Sequence, residues 1–243
     1  MAFDGTLKFG TSIDKSGFES GLSGLGSLAQ KGMSLVASAV KLGADAVKTL
    51  GTSAIETGRS FEAGMSQIQA TLGISVADLQ NNVNGAADTM NALTAKAEEM
   101  GRKTAFSATE AAEGLNILAM SGYDAESSIG MIENVLNMAS AGGLELSQAA
   151  SYVAGSMKGF TAEAELFADT TEASSYYANM IAKGATLAAT DVNQLGAALS
   201  QASATANTYG QTSQSTAAAL LRLAEQNVVG EAAATSLAAA MKN

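Results

Sequence analysis

The sequence predicts an all-α fold, an alanine- and glycine-rich bundle of about seven to nine capped helices. Three observations predict it. The 243 residues include no proline, the residue that breaks helix interiors. Polar capping residues repeatedly precede apolar residues at helical spacing, and a glycine often follows each run. Aromatic residues are 5% of a chain that is 47% apolar, so the helices are expected to meet through small side chains around a thin core.

The N-terminal part of the chain differs in charge from the rest. The net charge of −10 comes entirely from residues 61–243, so we place a domain boundary near residue 60 and expect a helical core domain at 61–243. Residues 5–14 alternate in polarity, which predicts a short strand within a strand and turn segment at 1–20. Residues 21–60 are predicted to form a glycine-rich amphipathic helix.

The clearest helical unit lies between Lys103 and Gly122. Ser107 is followed three residues later by Glu110, which is the spacing of a capping box. In that motif the hydroxyl accepts from a free backbone N–H, and the carboxylate reaches back to the capping residue. Gly122 is placed to end the helix.

Similar patterns predict further helices on both sides of this unit. The predicted helices run from Phe61 to about Thr71, from Ser75 or Asp78 to Glu99, from Glu126 to Ala139, from Leu146–Ser147 to Met157, from Glu163 to Lys183, from Asp191 to near Gly210, from Thr212 to Asn227, and from Glu231 to Met241.

Two stretches of the core domain resemble each other. Residues 103–139 and 208–241 align at a constant offset, with Ser107 over Thr212 and Leu115 over Leu220. A weak internal duplication explains this pattern. Independent use of the same helix-forming sequence pattern explains it as well, because alanine and leucine are common residues.

The composition excludes several kinds of chemistry. Without cysteine the chain has no disulfide, thiolate metal site or cysteine nucleophile, and without histidine it lacks the commonest general base and zinc ligand. The charge of −10 argues against nucleic-acid binding. We find no signal peptide and no apolar run that predicts a membrane span. We predict no metal and no cofactor.

Two pairs of glutamates are the candidates for acid–base catalysis. Glu98 and Glu99 are adjacent and therefore point in different directions on a helix. In the pair Glu110 and Glu113, the capping box already assigns Glu110 a structural role. We therefore predict that the protein is not an enzyme and assign no catalytic residue. The scattered acidic residues Asp169, Glu172 and Asp191 receive no ligand role either.

The order of these units resembles the core region of phage tail tape measure proteins. The matching residues are Phe61–Met65 with Ile68, Lys103–Leu115, Leu118–Tyr123, Val135–Gly143, Phe160, Asp191–Leu199 and Gly230–Leu237, and the N-terminal Asp4–Lys8 and Asp14–Phe18 also look like the start of such proteins.

The resemblance implies a structural protein of a bacteriophage, a prophage or a phage-tail-like particle. Such proteins occupy the lumen of the growing tail tube, and their length sets the length of the tail. Implied partners are the tail tube protein, tail tip or baseplate hub proteins, tail assembly chaperones and further copies of the chain. The implied location is the tail lumen or tip of the virion, and the bacterial cytoplasm during assembly.

Chain length adds one expectation about the role of this segment. A fully helical chain of 243 residues would reach only about 365 Å, and short capped helices indicate a more compact bundle. We therefore expect an anchoring or initiation domain near the tail tip. The alternative is a membrane-active helical protein that assists genome or particle entry, with transient membrane contact through residues 28–58.

Overall fold

A computed structural model describes residues 56 and 58–242 of the chain. Every regular element of this part is helical, which confirms the all-α prediction. The predicted strand at 5–14, the segment at 1–20 and nearly all of the predicted helix at 21–60 lie outside the described residues. The same holds for the membrane contact at 28–58, which stays a prediction. No helix of the described part is both long and apolar enough to cross a bilayer.

Besides one 3-10 turn at Val83–Gly85, the described part contains nine long α-helices and two short ones. They are α1 over 58–71, α2 (Val76–Gln80), α3 (Ala86–Lys103), α4 (Ala108–Met120), α5 (Ala125–Gly142), α6 (Leu146–Gly159), α7 (Thr161–Ala164), α8 (Thr170–Gly184), α9 (Val192–Thr208), α10 (Ser213–Ala224) and α11 (Gly230–Lys242).

Local capping chemistry fixes where most of these helices begin. The predicted capping box starts α4, because Ser107 Oγ accepts from the Glu110 N–H at 3.2 Å and the Glu110 carboxylate accepts from the Ser107 N–H at 2.7 Å. Gly122 follows α4 with φ +86°, a conformation that favours glycine. At α10, Thr212 caps with its side chain alone, since Ser215 stands where a carboxylate would complete the box.

One predicted helix, from Ser75 or Asp78 to Glu99, is broken in the structure. Ser75 and Asp78 do form a capping box, but the helix they start is the short α2. Asn82 and Asn84 then adopt positive φ values of 45° and 51°, and α3 begins only at Ala86. Asparagine tolerates the left-handed region, so this break reflects turn chemistry that apolar periodicity does not reveal.

The second broken helix is the one predicted from Glu163 to Lys183. The structure divides it into α7 and α8, and Asp169 caps α8 by accepting from the Glu172 N–H at 2.8 Å. The prediction for α6 needs a smaller correction. Glu145 occupies the position before α6 and makes no side-chain capping bond, so Leu146–Ser147 lies inside the helix.

The long helices form two layers of side-by-side hairpins. The first layer contains α3, α5, α8 and α10, and the second contains α1, α4, α6, α9 and α11. Each first-layer helix pairs with the next helix of the chain, which gives the hairpins α3–α4, α5–α6, α8–α9 and α10–α11. Their first helices start about 40–45 residues apart, a length seen in α-solenoid repeats.

Neighbours within one layer run parallel. Between α6 and α9, the Tyr152 ring approaches Gly196, Ser200 approaches Gly155, and Ser203 approaches Gly159. Between α5 and α8, Asn134 donates to Ser174 at 2.9 Å, and Thr171 lies over Gly130. In each pair, the contacting residues follow the same order along both helices, so the two helices point in the same direction. The first helices of the two stretches that resemble each other lie in different layers, α4 in the second and α10 in the first. The duplication of 103–139 and 208–241 stays a prediction.

The core between the layers consists mainly of aliphatic side chains and alanine, as the composition predicted. Apart from the aromatic Phe160 and Tyr177, the largest fully buried side chains are Ile68, Leu93, Met100, Leu115, Leu118, Met131, Ile132, Leu136, Met138 and Ile181.

Gly159 gives a direct test of the close contact between α6 and α9. A Cβ added there would lie 1.7 Å from Ser203 Oγ and 2.2 Å from Ser203 Cβ. We expect Gly159→Ala to lower the free energy of unfolding by about 2 kcal/mol, measured by urea denaturation, because overpacking forces the helices apart.

Gly155→Ala is the matched control for this prediction. Its Cβ would meet Ser200 Oγ at 2.0 Å, whereas Ser200 Cβ would lie 3.3 Å away, so removing the hydroxyl in Gly155→Ala/Ser200→Ala removes the clash and stability should be close to wild type. Gly159→Ala/Ser203→Ala should stay destabilised because the Ser203 Cβ contact remains. Equal stability of the two double variants would contradict the packing described here.

Candidate interaction surface

The turn around α7 covers a cluster of aromatic side chains. Phe160 and Tyr177 stack with ring centroids 6.3 Å apart, and Tyr176 meets Tyr177 edge to face at 5.3 Å. Phe167, in the turn between α7 and α8, lies 5.0 Å from Tyr176. Offset and edge-to-face aromatic contacts stabilise beyond the area they bury. The cluster therefore fixes the position of the turn on α8.

Glu163 ties α7 to the start of α10. Its carboxylate accepts from the Ser213 N–H at 2.8 Å and from Ser213 Oγ at 2.5 Å. The Tyr176 hydroxyl donates to the same carboxylate at 3.4 Å. The first N–H groups of a helix have no partner inside the helix, and a negative charge there complements the helix dipole. Glu163 is thus a capping group supplied by a distant segment, fifty residues away.

A cavity of about 300 Å³ opens beside this turn. Its lining is largely apolar and consists of Tyr123, Met157, Lys158, Thr161, Ala164, Glu165, Phe167, Asp169, Thr170 and Ala173. Lys158 Nζ lies 5.2 Å from the centroid of the Tyr123 ring, which is a cation–π distance. Burial raises the pKa of Tyr123 to about 12, so its hydroxyl is neutral at physiological pH. This volume fits one or two side chains of a partner and is at the low end for ligand pockets.

The candidate catalytic glutamates have structural partners in the structure. Glu98 bridges to Arg102 at 3.6 Å, whereas Glu99 bonds Lys103 and lies 3.4 Å from Lys96. The hydrogen bond from Lys103, together with the nearby Lys96, holds the pKa of Glu99 below its usual range. The two neighbours therefore point to different partners, as predicted.

The second pair, Glu110 and Glu113, lines a shallow hollow of about 310 Å³ at the start of α6, together with Glu145. One Glu110 oxygen already accepts from both the N–H and the hydroxyl of Ser107. The capping role predicted for Glu110 is confirmed.

Three further acidic residues, which received no ligand role, lie at helix starts. Asp169 caps α8, and Asp191 caps α9 by accepting from the Gln194 N–H at 2.7 Å. Glu172 accepts from the Ala168 N–H at 2.9 Å. Among residues 56 and 58–242, no three acidic side chains lie together in a way that could hold a metal ion.

Sequence reasoning missed the aromatic cluster and the bond between Glu163 and Ser213. The cluster has a signal in the sequence, because four of the chain's few aromatic residues fall between positions 160 and 177. The bond from Glu163 has no such signal, since the two residues meet only when α7 folds away from α8.

Replacing Glu163 tests this bond. Glu163→Ala leaves the buried Ser213 N–H and hydroxyl without their acceptor, and we expect a loss of about 2 kcal/mol of unfolding free energy, visible as a lower melting temperature in circular dichroism. Glu165→Ala, at an exposed carboxylate on the same turn, is the matched control and should leave the melting temperature unchanged. If both variants melt alike, Glu163 does not hold α10.

Comparison with known proteins places the chain in a family. The tape measure protein of Pneumococcus phage Dp-1 is 26% identical to it over 187 residues, which cover 77% of this chain and 15% of that protein. The chain thus spans less than one sixth of the length of this relative. No solved structure matches the chain. Residues 94–243 match the family of phage-related minor tail proteins. This matched stretch includes α4 to α11. The chain therefore belongs to the phage-related minor tail protein family.

Proposed function

We propose that residues 61–243 act as an anchoring and initiation domain of a tape measure protein, near the tip of a phage tail. Family membership supports a structural role in a phage tail, and the similarity to a tape measure protein supports the specific assignment. The role needs no catalysis, and it is consistent with the structural partners of Glu98, Glu99 and Glu110.

The observation that carries the proposal is how little length the described residues span. The longest helices have 18 residues, or about 27 Å, and each is followed by a helix that runs back. Packed helices typically lie about 8–10 Å apart, so we expect each hairpin of about 40 residues to extend the stack by roughly that distance. A continuous helix of 40 residues would add about 60 Å. A stack that gains so little length per residue is suited to a folded attachment domain and poorly suited to setting the length of a tail.

The partners in this proposal are the tail tube protein, the tip or baseplate hub proteins, assembly chaperones and further copies of the chain. The proposed location is the tail of the virion, with assembly in the bacterial cytoplasm. These assignments rest on the family and on the relative's name, because the chain spans only a small part of that relative.

A substitution that keeps the residue number constant separates an anchor from a ruler. We expect Gly159→Leu, introduced into the phage that encodes this chain, to prevent tail formation because it forces α6 and α9 apart. If this segment only set tail length through its own length, tails of normal number and length would form, because no residue is lost. Negative-stain electron microscopy of lysates gives the count and length of tails, and an immunoblot checks that the variant chain is present.

Gly58→Leu is the matched control, because a Cβ at Gly58 would meet no atom of the described residues within 4 Å. This variant should give normal tails. An in-frame deletion of residues 125–164 is the complementary arm, and we expect it also to block assembly. Tails that simply become about 60 Å shorter after that deletion would contradict the proposal.

A further inference from the structure

Five of six exposed, large apolar side chains lie along one edge of the stack. Within the described residues these six are Val76, Val83, Met120, Leu166, Leu187 and Tyr209. All except Leu187 lie in, or directly before, the connections from a second-layer helix to the next first-layer helix, at 72–85, 121–124, 160–169 and 209–212, with Met120 the last residue of α4. We call this set of connections, together with Met120, the apolar edge. Leu166 and Met120 are its most exposed members, at 84% and 67%.

The topology brings these connections together. Because second-layer helices run parallel, α1, α4, α6 and α9 all end at the same edge, and the next first-layer helix starts there. The connections inside the hairpins lie at the opposite edge, where Leu187 is the single exposed large apolar side chain of the described part. The exposed apolar groups therefore recur about once per hairpin, and packed helices typically lie roughly 8–10 Å apart.

Two hollows open on the apolar edge next to these side chains. The cavity of about 300 Å³ described above lies between α6 and α8 and includes Phe167. A second hollow of about 510 Å³ lies after the end of α1, beside the starts of α3 and α5, and its lining is mixed: Leu72, Ile74 and Val83 face it together with Asp78 and Asp124. Concave sites that offer apolar contacts accept the anchor side chains of a binding partner.

The charge of the apolar edge is negative. Asp78, Asp124, Glu126, Glu165 and Asp169 lie on it. Hydrogen bonds from Ser75 and from Ser127 hold the pKa values of Asp78 and Asp124 below their usual range, so both are ionised at neutral pH. Lys158 is the one basic side chain of the described residues in these two hollows, and it lies over the Tyr123 ring. The edge thus combines an apolar row with acidic flanks.

We propose that the apolar edge binds an amphipathic helix of another protein whose apolar stripe is flanked by lysine and arginine. Residues seven apart on a helix lie on one side and are separated by about 10.5 Å, which is close to the roughly 8–10 Å that packed helices typically keep between their axes. Basic residues beside that stripe complement the acidic flanks of the edge and speed the encounter. The surface follows from the topology and does not depend on the anchoring role proposed above.

The test uses the full chain and a fluorescent 22-residue peptide with leucine at every third and fourth position, in heptad order, and lysine elsewhere. Fluorescence anisotropy should show binding. Met120→Ser/Leu166→Ser should weaken it at least about tenfold, because the variant removes two contacts of the row. Leu187→Ser, an equally exposed leucine at the opposite edge, is the matched control and should bind as wild type does.

Three binding results and one light-scattering result would overturn the proposal. The first is no binding of the leucine–lysine peptide, and the second is an equal loss of affinity in both variants. The third is equal binding of a peptide of the same composition with its leucines scrambled, which would show attraction by charge alone. A peptide with glutamate in place of lysine should bind much more weakly. Light scattering tests whether a second copy of the chain occupies the apolar edge instead. If the wild-type chain is a dimer and Met120→Ser/Leu166→Ser is a monomer, the edge binds a second copy and the helix proposal is excluded.

Discussion

The close approach of parallel helices in the second layer is the constraint on which the stack depends. Glycine faces serine or a ring at Gly155, Gly159 and Gly196, where any Cβ would lie within 3 Å of a neighbouring atom. Small residues bury little apolar area each, so stability has to come from many short contacts at crystal-like density. Each hairpin then depends on the hairpins beside it, as in repeat proteins whose single units do not fold alone.

The helix ends divide this stack into two different edges. Capping groups such as Ser107, Asp124 and Asp191 satisfy the first N–H groups of their helices locally. Carboxylates therefore collect where helices begin, and much of the negative charge of the chain lies along the edges. Only the edge with the connections between hairpins adds a row of exposed apolar side chains. A body with one distinctive edge is consistent with the proposed anchoring role.

Sequence reasoning predicted the helices well and their arrangement poorly, for a physical reason. Caps and glycine stops are local, so Ser107, Gly122 and Asp191 mark real helix ends. The breaks at Asn82–Gly85 and before Asp169 were missed because the apolar period continues across them. The parallel stacking was not predicted, because its contacts join small residues 40 to 45 positions apart and the sequence shows no obvious residue repeat at that spacing. The aromatic cluster could have been noticed, whereas the bond from Glu163 to Ser213 exists only in the folded chain.

Cross-linking in the cysteine-free chain tests the parallel two-layer stack most directly. Cysteines placed at Thr71 and Asn116, or at Asn134 and Ser174, replace pairs whose side chains bond at 2.7 Å and 2.9 Å across neighbouring helices. A short bis-maleimide should join each pair within one chain, as read by proteolysis and intact mass. The exchanged pair, Thr71→Cys with Ser174→Cys, places the two cysteines on helices that are not neighbours, so the reagent should not cross-link them. Efficient linking of the exchanged pair, or failure of both matched pairs, would contradict the stack.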